Sequence, residues 1–207
     1  MGQCYAVFAK ETRGANLSAV APDAIDITAD FDQTMVSNDN MLLYDLKLKS
    51  VKATNTGLVY SDDISQFNAI WQDMLITNLA VPLFSDKVKD FFNIEGADYI
   101  KWITVKIHGN DEIKIYHIPE FTKRLDVLNI EKCKFSAERV DAQIENRIII
   151  PCFSYKKIQK YVLFHEPYIE EYLWRVPHCV YVSDETKKKI SANKFTGFHY
   201  EKIRTSE

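Results

Sequence analysis

Three features of the sequence predict an α+β fold, a mostly antiparallel sheet with a few short helices packed on it in a single domain. Apolar and polar residues alternate over several short stretches, as half-buried strands require. One pair of such stretches is joined by His108-Gly109-Asn110-Asp111, whose residue types suit a tight hairpin turn. Twice an apolar run stops at Ser-Asp and a short charged segment follows, at Ser85-Asp86 and at Ser183-Asp184. Each reads as a strand running into a capped helix. The chain has 207 residues, 46% hydrophobic and 27% charged, which is enough to bury a proper core.

Taken in order, Tyr5-Ala6-Val7-Phe8-Ala9 predicts a first strand. Residues 16–40 are small and acidic with Pro22 among them, and predict loop, with at most one edge strand around Ile25 and Ile27. Residues 41–49 end in alternation, Tyr44, Leu46 and Leu48 against Asp45, Lys47 and Lys49, which suits a strand. Ile64, Phe67, Ile70, Trp71, Met74 and Leu75 recur at helical spacing and predict the clearest helix, a single apolar stripe. Ser61 would cap it, with Asp62 and Asp63 at its positive end. Core packing explains that stripe better than a cofactor site.

Ala80-Val81-Pro82-Leu83-Phe84 predicts a strand leading into a helix that turns Val88, Phe91 and Phe92 inward, with Gly96 at its exit. Residues 99–107 place Ile103, Val105 and Ile107 on one face and Trp102 and Thr104 on the other, and residues 113–118 return as the second arm of a hairpin. Residues 125–130, apolar on both faces, predict an interior strand. A polar stretch near residues 138–142 leads to another apolar run at 148–153, where Pro151 must sit at an edge or a strand end. Residues 161–164 predict a further strand, and Pro167 the first turn of a short helix through Glu170 and Glu171. Residues 85–107 and 183–203 repeat one pattern: Ser-Asp, a helix, an Asn and a Gly, then an aromatic-started strand. That is reuse of one β-α-β unit.

A net charge of −3 supplies no strong basic field, so nucleic acid is not an expected partner. Up to Asn40 the acids Glu11, Asp23, Asp26, Asp30, Asp32 and Asp39 face only Lys10 and Arg13. A solvated face accounts for this, but Asp23, Asp26 and Asp30 are also candidates for a surface that steers toward a basic partner. Cys4, Cys133, Cys152 and Cys179 are scattered and form no CxxC pair, which predicts reduced thiols and a cytoplasmic protein. No secretory leader and no membrane-spanning apolar run is visible.

The search for chemistry returns no catalytic residue, metal ligand or cofactor site. His165-Glu166 begins like HExxH, but Ile169 stands where the second His belongs. His178 and Cys179 would point to opposite faces of a strand. There is no glycine-rich phosphate loop and no GxSxG elbow. The enzymatic alternative is a small hydrolase pairing Cys152 or Cys179 with His165 or His178. Lys187, Lys188 and Lys189 on one helix point in different directions and read as a solvated surface. In Tyr168-Ile169-Glu170-Glu171-Tyr172, tyrosines and carboxylates interleave, so Tyr168, Glu170, Glu171 and Tyr172 are candidate partner contacts. A half-buried amphipathic turn explains that segment equally well.

Three ordered blocks resemble the immunity proteins of bacterial polymorphic toxin systems, in the branch first catalogued as a domain of unknown function. Ile70-Trp71 with Val81-Pro82-Leu83-Phe84-Ser85-Asp86-Lys87-Val88-Lys89-Asp90 is similar to that family's "IW…PVVSERLKD". Val127-Leu128-Asn129-Ile130-Glu131-Lys132-Cys133 is similar to its "NVLNVVDC". Leu173-Trp174-Arg175-Val176, then Val180-Tyr181-Val182-Ser183-Asp184-Glu185 with Thr196-Gly197-Phe198, is similar to "IFRL…VFVSDE…LTGL", with Leu-Trp in place of Ile-Phe before Arg175. The resemblance implies a family-like core over residues 61–203 and a variable acidic part over 1–60. It implies a non-enzyme that neutralises a cognate toxin domain by stoichiometric occlusion. The blocks carry helix caps, strand ends and core aromatics, so no functional residue transfers from them. A structural or regulatory adaptor sharing the fold is the remaining alternative. Oligomeric state and the toxin's activity are not encoded in any motif found.

Overall fold

Alternating strands close on themselves in the computed structural model, which describes residues 2–10, 14–20, 45–78, 81–123, 125–140, 143–165 and 179–207. The strands concerned are β2 (Asn16–Val20), β3 (Asp45–Thr54), β4 (Gly57–Ser61), β5 (Met74–Thr77), β6 (Pro82–Ser85), β7 (Ile100–Gly109) and β8 (Glu112–Phe121). They pair in the order β2-β5-β6-β8-β7-β3-β4, and β3 also pairs back onto β2. The result is a small closed barrel with β4 continuing along β3 beyond it. Pairing is antiparallel except at β2–β5 and β3–β7. Every second residue points inward: Leu17 and Ala19, Leu46 and Leu48, Leu75, Leu83, Ile103, Val105 and Ile107, Tyr116 and Ile118 fill the interior.

A second core lies on the outer side of the barrel wall. Met74 and Phe84 reach into it from β5 and β6. Opposite them stands a three-stranded antiparallel sheet, β12-β1-β13, of β1 (Cys4–Ala9), β12 (Val180–Ser183) and β13 (Phe198–Ile203). Helices α1 (Asp86–Ile94) and α3 (Asp184–Ala192) flank this core, with the four-residue α2 (Tyr155–Ile158) between them in sequence. Phe84 is its hub, edge-on to Phe92 and Trp102 and stacked on Phe198 at 6.1 Å. Burying this many aromatic rings accounts for the rich aromatic content without any ligand.

The expected β-α-β reuse is present. In β6-α1-β7 the strands before and after the helix run parallel, separated by β8, which is antiparallel to both. In β12-α3-β13 the same relation holds around β1. The helices match position by position. Ser85 and Ser183 hold the N-cap positions, and the inward residues are Val88 and Phe92 in one, Thr186 and Ile190 in the other. Each helix is followed by a left-handed residue, Gly96 at φ 98 and Lys194 at φ 57. The caps differ, however. Ser183 Oγ accepts from the amide of Thr186 at 3.2 Å, whereas Ser85 makes no cap bond and donates its hydroxyl to Asp73.

The β7–β8 hairpin forms as expected, with Asn110 and Asp111 both at positive φ, 46 and 63, as a type I′ turn demands. The helix expected over residues 61–75 does not form. Ser61 Oγ accepts from the amide of Asp63 at 3.1 Å, and Asp63 Oδ1 from that of Ser65 at 3.0 Å. The first bond alone would be an ordinary N-cap, but the second takes the Ser65 amide that would close the first helical turn onto the Ser61 carbonyl. Ile64 and Phe67 still bury, as an irregular plug across the barrel end where Gln66 Nε2 donates to Ser50 Oγ. The stripe then splits. Met74 and Leu75 are successive residues of β5 and enter opposite cores, where a helix would have kept both on one face.

Two expected strands are also corrected. Residues 125–130 do not join a sheet; Leu128 makes an isolated bridge to Phe153, while Asn129 begins a single 3-10 turn. Leu125, Val127 and Leu128 are buried, but Ile130 is 52% exposed. Residues 161–164 contribute only the bridge Phe164–Tyr181. Their amides are taken by a side chain: Val162 and Leu163 N–H donate to the Tyr99 hydroxyl, which donates to the Leu163 carbonyl at 2.8 Å. Burial pushes that phenol up to about 12. Of the polar stretch expected near residues 138–142, residues 138–140 belong to β9 (Lys134–Val140), which pairs antiparallel with β10 (Gln143–Ile150), and Pro151 follows β10. Two-residue strands β11 (Phe153–Ser154) and β14 (Thr205–Ser206) pair in parallel. The expected edge strand at Ile25 and Ile27 and the short helix after Pro167 lie outside the described residues.

Candidate functional site

One arrangement resembles catalytic machinery. Buried His117 on β8 places Nε2 at 2.7 Å from Asp86 Oδ1, and its Nδ1 at 3.2 Å from the Thr104 hydroxyl. Burial holds the imidazole below its ordinary value, outweighing the Asp86 carboxylate that favours the cation. A neutral ring with Nε2–H donating to Asp86 and Nδ1 accepting from Thr104 satisfies all three groups. The Asp86 carboxyl is held low, chiefly by that bond from His117. Both ring nitrogens are therefore committed to protein partners and the ring is only 4% exposed. The arrangement fastens the first turn of α1 to β7 and β8; it leaves no nitrogen aimed at a substrate.

Cys152 is buried, and its amide donates to Cys133 Sγ at 3.3 Å. Cys179 Sγ donates to the Val180 carbonyl at 3.8 Å. His165 packs against the Phe121 ring at 4.3 Å, and His178 lies outside the described residues. Among the described residues, no group of three or more His, Cys, Asp or Glu is placed to hold a metal ion. No helix among them is long and apolar enough to cross a membrane.

The lysine run resolves into separate contacts. Lys187 Nζ lies 3.7 Å from the centre of the Tyr5 ring, Lys188 pairs with Asp184 at 2.6 Å, and Lys189 pairs with Glu95 at 2.6 Å. The last of these joins the end of α1 to α3. A phosphate-binding patch would need those charges to converge, and they diverge.

What the surface does offer is a sheet edge. Among the described residues β4 pairs with β3 alone, and Leu58, Val59 and Tyr60 are 55%, 52% and 39% exposed. Ile113 and Ile115 lie exposed on the neighbouring hairpin. An apolar edge strand that pairs on one side alone among the described residues has the chemistry of strand addition, the main chain pairing with an extended segment of another protein. The sequence predicts no strand over Gly57–Ser61, and only Ser61 carries an expectation there, as a helix cap. Yet Asn55-Thr56-Gly57 before the apolar run Leu58-Val59-Tyr60 is a hairpin signal, and it could have found β4.

The seven residues that the sequence nominates for partner contact, Asp23, Asp26, Asp30, Tyr168, Glu170, Glu171 and Tyr172, all lie outside the described residues. The first two resemblance blocks are placed; of the third, Leu173-Trp174-Arg175-Val176 lies outside the described residues, while Thr196, Gly197 and Phe198 each have a packing role. Thr196 bonds to Asp73, and Phe198 stacks on Phe84. A Cβ on Gly197 would collide with the Met74 carbonyl oxygen.

A comparison with curated proteins finds no match. A comparison with protein families matches the Immunity protein family (Imm11) over residues 32–205, which takes in every strand from β3 to β13 and all three helices. The matched span is far more than half of the chain, and it contains both helix-bearing units and most of both cores: the chain belongs to the Imm11 immunity protein family.

Proposed function

We propose that this chain neutralises a cognate toxin protein by binding it stoichiometrically and covering its active site, in the cytoplasm and without catalysis of its own. Family membership over residues 32–205 carries the reading. Two further observations support it. His117, the buried ring that most resembles a general base, is satisfied on both sides by protein groups. The exposed β4 edge is a surface suited to a protein partner.

Binding of this kind draws its affinity from a few desolvated aromatic anchors and its selectivity from the charges around them. Tyr168 and Tyr172 with Glu170 and Glu171, and the acids Asp23, Asp26 and Asp30, are the proposed anchors and charges. The β4 residues Leu58 and Tyr60 are a second candidate surface. Co-expression of this chain with the toxin encoded beside it tests the reading: growth is restored at one-to-one stoichiometry in the purified complex. Continued killing with both proteins soluble would overturn it. Substituting Tyr168 and Tyr172 together, or Leu58 and Tyr60 together, by Asp then shows which surface carries the contact.

A further inference from the structure

We infer that Cys133 and Cys152 form a thiol pair that hydroperoxides convert to an intramolecular disulfide across the base of the β9–β10 hairpin. Cys133 immediately precedes β9, and Cys152 follows β10 after Pro151. The last register pair of the ladder is Lys134 with Ile150. Beyond that pair the ladder ends, with Cys133 leaving the 3-10 turn on one side and Pro151-Cys152 leaving β10 on the other. The side chain already points that way: Cys133 Sγ accepts from the Cys152 amide at 3.3 Å and lies 3.9 Å from the Cys152 carbonyl oxygen. One sulfur thus already lies against the main chain of the other cysteine, the closeness on which the inferred disulfide rests.

The two thiols are unequal in a way that orders the reaction. Cys133 is half-buried and Cys152 is 1% exposed, so an oxidant in solution meets Cys133 first. A hydroperoxide ROOH transfers oxygen to the Cys133 thiol, giving the sulfenic acid and the alcohol ROH, or water from hydrogen peroxide. The Cys152 sulfur then attacks the sulfenic sulfur, forms the S–S bond and expels water. Two thiols lose two electrons and two protons, and the O–O bond takes both. Near attack by Cys152 is what distinguishes this pair from an exposed cysteine, which would continue to sulfinic acid. β9 and β10 pair only with each other among the named strands, so a covalent clamp at their base would fix where the ribbon leaves the second core.

Hydrogen peroxide titration of the intact protein tests this. The expected result is a mass loss of two hydrogens, a fall in titratable thiols from four to two, and a Cys133–Cys152 cross-linked peptide that dithiothreitol releases. The four free cysteines provide the starting count. Cys133→Ser and Cys152→Ser each remove the cross-link, while Cys4→Ser and Cys179→Ser leave it. Peptide mapping of the wild-type chain carries the test even if a variant folds poorly. Oxygen adducts on Cys133 without a cross-link, a different cysteine pairing or linkage between molecules would each overturn the inference.

Discussion

The Asp73 carboxylate accepts the amide N–H and the hydroxyl of Thr196 at 2.9 and 3.0 Å, across 123 residues of sequence. The link is reciprocal. Asp73 N–H donates to the Thr196 hydroxyl oxygen, and Met74 N–H donates to the Thr196 carbonyl at 3.1 Å. The second carboxylate oxygen accepts from Ser85 Oγ at 3.0 Å. One side chain thus fastens the turn after α3 to the strand end before α1, and so ties the two repeated units together. Asp73→Ala leaves donors on both sides without their charged acceptor, and should lower unfolding free energy by about 1–3 kcal/mol in urea denaturation. Asp73→Asn keeps one acceptor oxygen and should lose less. A wild-type midpoint in Asp73→Ala would remove the residue from any account of the fold.

The two capping serines provide a sharper version of the same test. Ser183→Ala removes a true N-cap and should cost about 1 kcal/mol. Ser85→Ala removes only the bond to Asp73, so its cost should largely vanish in an Asp73→Ala background. Ser183→Ala should cost the same in both backgrounds. If Ser85→Ala is additive with Asp73→Ala, the hydroxyl is acting elsewhere.

Glycines separate backbone conformation from space. Gly96 has φ 98 and nothing lies within 4 Å of where an alanine methyl would sit, so Gly96→Ala should cost only the left-handed strain, about 1–3 kcal/mol. Gly197 has φ 86, and a Cβ there strikes the Met74 carbonyl oxygen and crowds Gln72 Cβ at 2.9 Å. Neither neighbour is the end of a flexible chain. Gly197→Ala should therefore exceed Gly96→Ala by roughly 1–3 kcal/mol, the range for overpacking. Equal midpoints for the two variants would mean that the loop after α3 yields to the extra carbon.

Local chemistry made parts of this fold legible. Asn110 and Asp111 encode their turn in two residues, and the Ser-Asp start of α3 is capped locally, by the Thr186 amide on Ser183 Oγ. Long-range chemistry was hidden. Ile64 to Leu75 carry a helical spacing, yet Met74 and Leu75 serve cores on opposite sides of one strand, which periodicity alone does not reveal. Closure of the barrel depends on β2 meeting β3 across a gap of many residues, and no local pattern announces it. Tyr99 replaces a neighbouring strand for residues 162 and 163 through a single hydroxyl, which looks in sequence like any core tyrosine. The family was readable because its blocks are these packing devices, Thr196-Gly197-Phe198 above all. A contact surface has no such internal constraint, and the sequence predicts no strand at residues 57–61, where β4 lies.

His117 gives the fold a pH dependence whose sign follows from its surroundings. Burial holds the folded imidazole below its ordinary 6.5, while the unfolded chain titrates near that value. As pH falls through 6.5, the unfolded state gains a proton that the folded state refuses, so stability declines until the folded value is reached. Asp86 acts in a lower window. Its carboxyl is held below 3.8, so its contribution is intact above that pH and is lost as pH falls through the lower folded value. Denaturation between about pH 7.5 and 5 therefore isolates the histidine from Asp86. The wild-type protein should lose stability on acidification over this range. His117→Gln, which retains a donor for Asp86, should be less stable at the upper end of the range but flatter with pH. An unchanged slope in His117→Gln would assign the acid sensitivity to another group and leave the Thr104–His117–Asp86 chain as packing alone.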